Sequence, residues 1–259
     1  MRADTGTEGS SKQNDALTRR NKFVEPEHFK HFVGITVENV DGEKIGTIKD
    51  LVLERGAGQV RYVIVRAGGF GHRRSVVVPI SAIAMTTAKV GIASVDISAR
   101  QWKKAPEFRK QELASLAEPG RAQSIARFYE SGDRSSRVTP TGRNHAQAAS
   151  LNGNEQLELA SEMVGKNVMN RQQKEIGEVR DLLVDFSDKK PALALVAVTH
   201  ESEADESFAV PIHLLSPSQN GRLQMKADRE TFAHAQAFNL ENWQASREGQ
   251  SEIYRWERR

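Results

Sequence analysis

Two aspartates, Asp50 and Asp181, occupy matching places in two similar stretches of the chain, 131 positions apart. A carboxylate can act as a general acid or base, or bind a metal, only with a second acid or a histidine held close to it. The flanking sequence specifies neither, so each aspartate reads as an acceptor for backbone N–H groups where a strand bends. Asp41-Gly42-Glu43-Lys44 places acids in a turn but lacks the ligand periodicity and terminal glutamate of a calcium loop. Of the seven histidines, only His28 and His31 are spaced to share a helical face. Two imidazoles without a third ligand read as a solvated pair rather than a zinc site. The 259 residues contain no cysteine, which excludes thiolate metal centres, disulfides and cysteine nucleophiles. No Ser/His/Asp arrangement or nucleophile elbow can be traced. The expectation is a protein that is not an enzyme, with no cofactor and no metal.

Two segments suit recognition better than catalysis. Residues 68–74 place Phe70, His72, Arg73 and Arg74 in a glycine-rich loop, which suits phosphate or an acidic partner. The loop lacks a P-loop ending, and it precedes a strand where a dinucleotide fingerprint would open a helix. The same loop in the second stretch, residues 200–206, is acidic. Residues 33–105 hold eleven Lys and Arg against six Asp and Glu, whereas residues 164–238 hold nine against eleven. The C-terminal tail, residues 239–259, carries Trp243 and Trp256 beside several arginines. It reads either as a docking peptide or as a strap packed on its own domain.

These features are positioned by an internal repeat. Val33-Gly34, Val37, Asn39, Ile45-Gly46 and Asp50-Leu51 recur as Val164-Gly165, Val168, Asn170, Ile176-Gly177 and Asp181-Leu182, all at a spacing of 131. Val78-Pro79-Ile80 recurs as Val210-Pro211-Ile212 at 132, and Trp102, Ala105 and Phe108 face Phe232, Ala235 and Phe238 at 130. Runs of β-branched residues predict strands over 45–54, 60–66, 75–78 and 92–97. The second copy predicts them over 175–186, 192–199, 207–210 and 222–226. Short helical turns are expected at 99–104 and 228–236. Gly46 and Gly177 read as bulge or close-approach positions. Several short strands in about 70 residues suggest a small closed or nearly closed barrel, which also removes exposed sheet edges.

The run VGITVENVDGEKIGTIKDLVLERGAGQVRYVIVRAGG, followed by VVVPISAI, resembles the PRC-barrel family. This domain occurs in the H subunit of photosynthetic reaction centres and in ribosome maturation factors. The second copy departs from the pattern where Gln172-Gln173 replaces the Asp-Gly turn and where the Gly68-Gly69 pair is missing. The resemblance implies a compact β-barrel used for binding proteins or ribonucleoprotein, without a general catalytic residue. Neither specific role transfers: no N-terminal membrane helix is present, and both units are of one type.

The expected architecture is mainly β, with two small PRC-type β-barrels joined by a long connector that is partly helical and partly disordered. The boundaries read as a disordered N-terminus (1–22), barrel one (23–108), a linker with short helices (109–162), a diverged barrel two (163–238) and a tail (239–259). The N-terminus lacks the apolar run of a signal peptide, and no segment approaches the roughly 20 apolar residues of a membrane span, so the expected location is cytoplasmic. The function expected is that of a protein-interaction adaptor whose linker lets the two barrels engage separately. The alternative is a ribosome- or RNA-associated factor that contacts phosphate through the basic first barrel. Sequence alone names no partner and no oligomeric state.

Overall fold

A computed structural model of the chain describes residues 27–68, 74–85, 91–131, 156–184, 192–198 and 206–226. In the first half β1 (Glu27–His28) leads into a single helical turn, α1 (Phe29–Phe32), then β2 (Thr36–Glu38), β3 (Lys44–Glu54) and β4 (Gln59–Ala67). After these come β5 (Arg74–Pro79), β6 (Ile83–Met85), β7 (Ile92–Val95) and α2 (Ala99–Trp102), with a longer helix, α3 (Pro119–Glu130), beyond. The second half repeats the order with β8 (Leu157–Leu159), α4 (Ala160–Met163), β9 (Asn167–Met169), β10 (Glu175–Val184) and β11 (Leu193–Val198). It continues with β12 (Glu206–Pro211), β13 (Ser216–Pro217) and β14 (Leu223–Gln224).

The first sheet runs β5-β4-β3-β2-β7-β6 and the second β12-β11-β10-β9-β14-β13. In each sheet, strands consecutive in sequence lie at opposite edges: β5 and β6 are joined only by the short turn Ile80–Ala82. A connection that short curls the sheet so that its two ends lie near each other, giving a barrel-like unit. Gly46 and Gly177 permit the curl. A Cβ at Gly46 would stand 2.6 Å from the Arg66 carbonyl oxygen, and one at Gly177 would stand 2.3 Å from that of Ala197. The register also shifts between Ile48 and Asp50 in β3, and between Val179 and Asp181 in β10, so each aspartate follows a bulge.

The two barrels are not independent. β8 pairs with β3, placing Leu159 opposite Val52, while β1 pairs with β10, placing His28 opposite Leu183. Each half therefore donates its leading strand to the other half's sheet. This explains why Leu51, Val52 and Leu53 are consecutive yet wholly buried. One face of β3 looks into its own barrel and the other is covered by the visiting segment. Phe29, Phe32, Leu159 and Met163 extend one continuous apolar cluster through both halves. Residues 157–162, assigned to the linker from sequence, thus form part of the first sheet and its cover. The expectation that the barrels engage separately gives way for the same reason.

The helical part of the connector also packs. In α3, Ala122, Ile125, Ala126 and Tyr129 are buried, and the Tyr129 hydroxyl donates to the Val77 carbonyl at 2.8 Å. Burial pushes the phenol's pKa upward, which keeps it a donor. The disordered N-terminus expected over 1–22, the mobile stretch expected over 131–154 apart from Ser131, and the helical turn expected at 228–236 lie outside the described residues.

Candidate functional site

Asp50, Asp181 and His28 lie at the seam between the halves, each aspartate gripping the segment that crosses from the other half. Asp50 is 5% exposed. One of its oxygens accepts the Leu51 amide at 2.8 Å and the Ser161 amide at 3.1 Å, and the other accepts the Ser161 hydroxyl. Ser161 lies in α4, so this carboxylate holds the visiting helix of the other half. Burial raises its pKa above the usual 3.8, against the lowering pull of the Ser161 and Leu51 hydrogen bonds.

Asp181 does the same work with different partners. It accepts the Leu182 amide at 2.8 Å, and its second oxygen lies 2.8 Å from His28 Nδ1 and 3.7 Å from the Lys30 ammonium. Lys30 is the counterpart of Ser161 at the repeat spacing of 131. The bend role expected for both aspartates holds, and each also grips the visiting segment. The solvated histidine pair does not hold: the His28 side chain is only 15% exposed and lies edge-on to His31 with ring centroids 5.3 Å apart. Its burial follows from β1 belonging to the other sheet, which helical spacing could not reveal.

A second polar cluster, unforeseen from sequence, completes the seam. Arg55 is 7% exposed and Glu158 is 8% exposed. The Arg55 guanidinium pairs with Glu158 and also donates to the Leu215 carbonyl of the second half at 2.7 Å. Its amide donates to the Gln156 carbonyl at 3.0 Å, and Lys166 closes on the other oxygen of Glu158. The Ala192 amide reaches the Gly58 carbonyl at 2.7 Å. A buried ion pair of this kind fixes register more than it adds stability, because desolvation offsets much of the attraction.

The turn Asn39–Glu43 is set by its first residue. The Asn39 side-chain oxygen accepts the Asp41 and Glu43 amides at 3.0 and 2.9 Å, as that of Asn170 accepts Gln172 and Lys174 at 3.0 and 2.9 Å. The second turn therefore survives the loss of glycine, with Gln173 at φ +60° where Gly42 has +76°.

Arg74 is committed elsewhere than to a ligand. It donates to the Trp102 carbonyl and to the Ala105 carbonyl at 3.1 Å, with Glu107 at 3.9 Å. Trp102 in turn donates its indole N–H to the Ile45 carbonyl at 3.0 Å. Phe70, His72, Arg73, Trp243 and Trp256 lie outside the described residues. Among the described residues no group of three or more His, Asp or Glu is gathered for a metal, and no helix is long and apolar enough to cross a membrane. An open polar hollow is lined by Gln173, Pro217, Ser218 and Gln224.

The family model of the PRC-barrel domain matches residues 27–100 and again 155–232. The chain belongs to the PRC-barrel family. Each matched PRC unit begins at the leading strand, β1 or β8, so the strand exchanged across the seam is part of the domain itself. A Deinococcus radiodurans protein described only as uncharacterized is 40% identical over 48 residues. That match spans 18% of this chain and 18% of the relative, so it reaches no further than one segment.

Proposed function

We propose that this tandem PRC-barrel protein is a non-enzymatic interaction module that presents two unlike binding ends on one packed body. The observation that supports the reading most is the seam. Its buried acids and cations, which elsewhere would be candidates for chemistry, are all engaged in holding one half's leading segment on the other half. What the two PRC units leave to partners is surface, and there the copies differ. Exposed Lys44, Lys49 and Arg66 lie on β3 and β4, and the segment that joins β4 to β5 in sequence carries Arg73. The corresponding positions of the second unit hold Glu175, Arg180 and Ala197, and the sequence between β11 and β12 holds Glu201, Glu203 and Asp205. One of these places reverses its charge, one loses it and one keeps it, and the connecting segment turns from basic to acidic, a difference that favours two different partners over one repeated partner.

The test captures partners of the intact chain from its host, with and without nuclease, beside a variant carrying Arg66→Glu and Arg73→Glu. The adaptor reading expects a protein partner that survives nuclease and is lost selectively with the charge reversal. Binding that vanishes with nuclease and falls steeply with salt would favour the ribosome- or RNA-associated reading instead. Arg74 counts against that second reading, since its guanidinium is already bonded to backbone carbonyls.

A further inference from the structure

The strand exchange has the same register in both directions. His28 stands opposite Leu183 and Glu27 opposite Val184. Shifted by the repeat spacing of 131, these pairs become Leu159 opposite Val52 and Glu158 opposite Leu53, which are the pairs that β8 makes with β3. The seam is therefore built as a dimer interface is, with one patch of each PRC unit used on both sides of a twofold relation.

The two patches have nevertheless become unlike. Phe29 and Ala160 are counterparts, and Ala160 is wholly buried where a phenyl ring would need room. Arg55, which engages Glu158 and the Leu215 carbonyl, has Phe186 as its counterpart in sequence. A first unit thus fits a second unit better than it fits another first unit. Every contact that crosses the seam joins residues up to 131 to residues from 156 onward, and residues 132–155 connect the two sets. The same contacts form whether the two halves belong to one chain or to two.

We propose that the seam is also this protein's assembly interface and that its partner there is a second copy, each copy seating its second unit on the first unit of the other. The dimer so formed is closed, because both seams are filled and no leading strand is left over. The connector sets the balance. Tethering holds the two halves at an effective concentration on the order of millimolar, so a dilute chain closes on itself. Two chains exchange when folding takes place near or above that concentration. The adaptor role makes no use of this buried face.

Charge-reversed full-length chains test this by light scattering. Arg55→Glu alone sets two acids against each other within a chain, and Glu158→Arg alone sets two cations together. Neither chain is expected to run at double mass by itself. Refolded together they should form an equimolar species of roughly double mass, because each seam then joins opposite charges. The chain carrying both substitutions should stay at single mass. A mixture that remains at single mass while that chain folds would overturn the proposal, as would doubling of either variant alone. The unmodified chain decides the matter even where a variant fails to fold. Refolded at high concentration, it should leave a double-mass fraction that persists on dilution and is missing after dilute refolding. Single mass under both conditions would overturn the proposal.

Discussion

Ser161 donates both its amide and its hydroxyl to the Asp50 carboxylate across 111 residues of chain. Its counterpart contact, His28 on Asp181, spans 153. The same acid in each repeat thus holds the leading segment of the other repeat, once through a neutral serine and once through an imidazole and an ammonium. The pair of contacts makes two barrels into one structure.

The Asp50 contact gives the protein a pH dependence of known sign. Burial raises the carboxyl above 3.8, so the folded state holds the proton more tightly than the unfolded chain does. The stabilisation is full below that value and is lost as pH rises through the raised one. Asp50→Asn keeps an acceptor for the Leu51 and Ser161 amides but cannot ionise. Urea unfolding across pH 3.5–7, a window of roughly this span being where carboxyls titrate, should show this decline in the parent and its loss in the variant. Asp50→Ala leaves both amides unpaired and should cost about 2 kcal/mol.

Removing one partner of the buried ion pair should be far more damaging than removing both. Glu158→Ala strands Arg55 at the seam and should cost about 3–5 kcal/mol. Arg55→Met combined with Glu158→Leu should recover most of that loss. A double-mutant cycle by denaturant unfolding measures the coupling, and additive losses would contradict the assignment.

Much of this was legible before any coordinates. The spacing of 131 placed both PRC barrels, the two aspartates at strand bends and the two glycines of close approach. A Cβ at either glycine would indeed meet a backbone carbonyl within 2.6 Å. The exchange was not legible, because strand pattern records that a segment pairs and not which sheet receives it. β1 and β8 are two and three residues long, too short for any period to show. Arg55 and Glu158 lie 103 positions apart, and nothing local ties them. Asn39 and Asn170 match in the repeat, yet the Asp-Gly pair is the more visible turn signal, although the asparagine side chain sets the turn.

Gly46→Ala and Gly177→Ala should each destabilise by about 1–3 kcal/mol, since the obstructing atoms are backbone and yield little. Gly177, with its carbonyl at 2.3 Å, should suffer more than Gly46 at 2.6 Å. Thermal unfolding of the two variants orders them.

Gln173→Gly should stabilise the protein by about 0.5–1 kcal/mol, because it removes a side chain from left-handed backbone at φ +60°. A rise in Tm with an unchanged circular dichroism spectrum would bear this out, whereas a fall would mean that the Gln173 side chain contributes more than its strain costs.

The reciprocal exchange is tested most directly by cutting the chain between its halves. A specific protease site introduced within residues 132–155 allows cleavage of the folded protein, followed by size-exclusion chromatography at low micromolar concentration. With β1 in the second sheet and β8 in the first, the two fragments should co-elute at the volume of the intact chain and separate only in denaturant. Fragments that part under native conditions, each running as a folded half, would contradict the exchange.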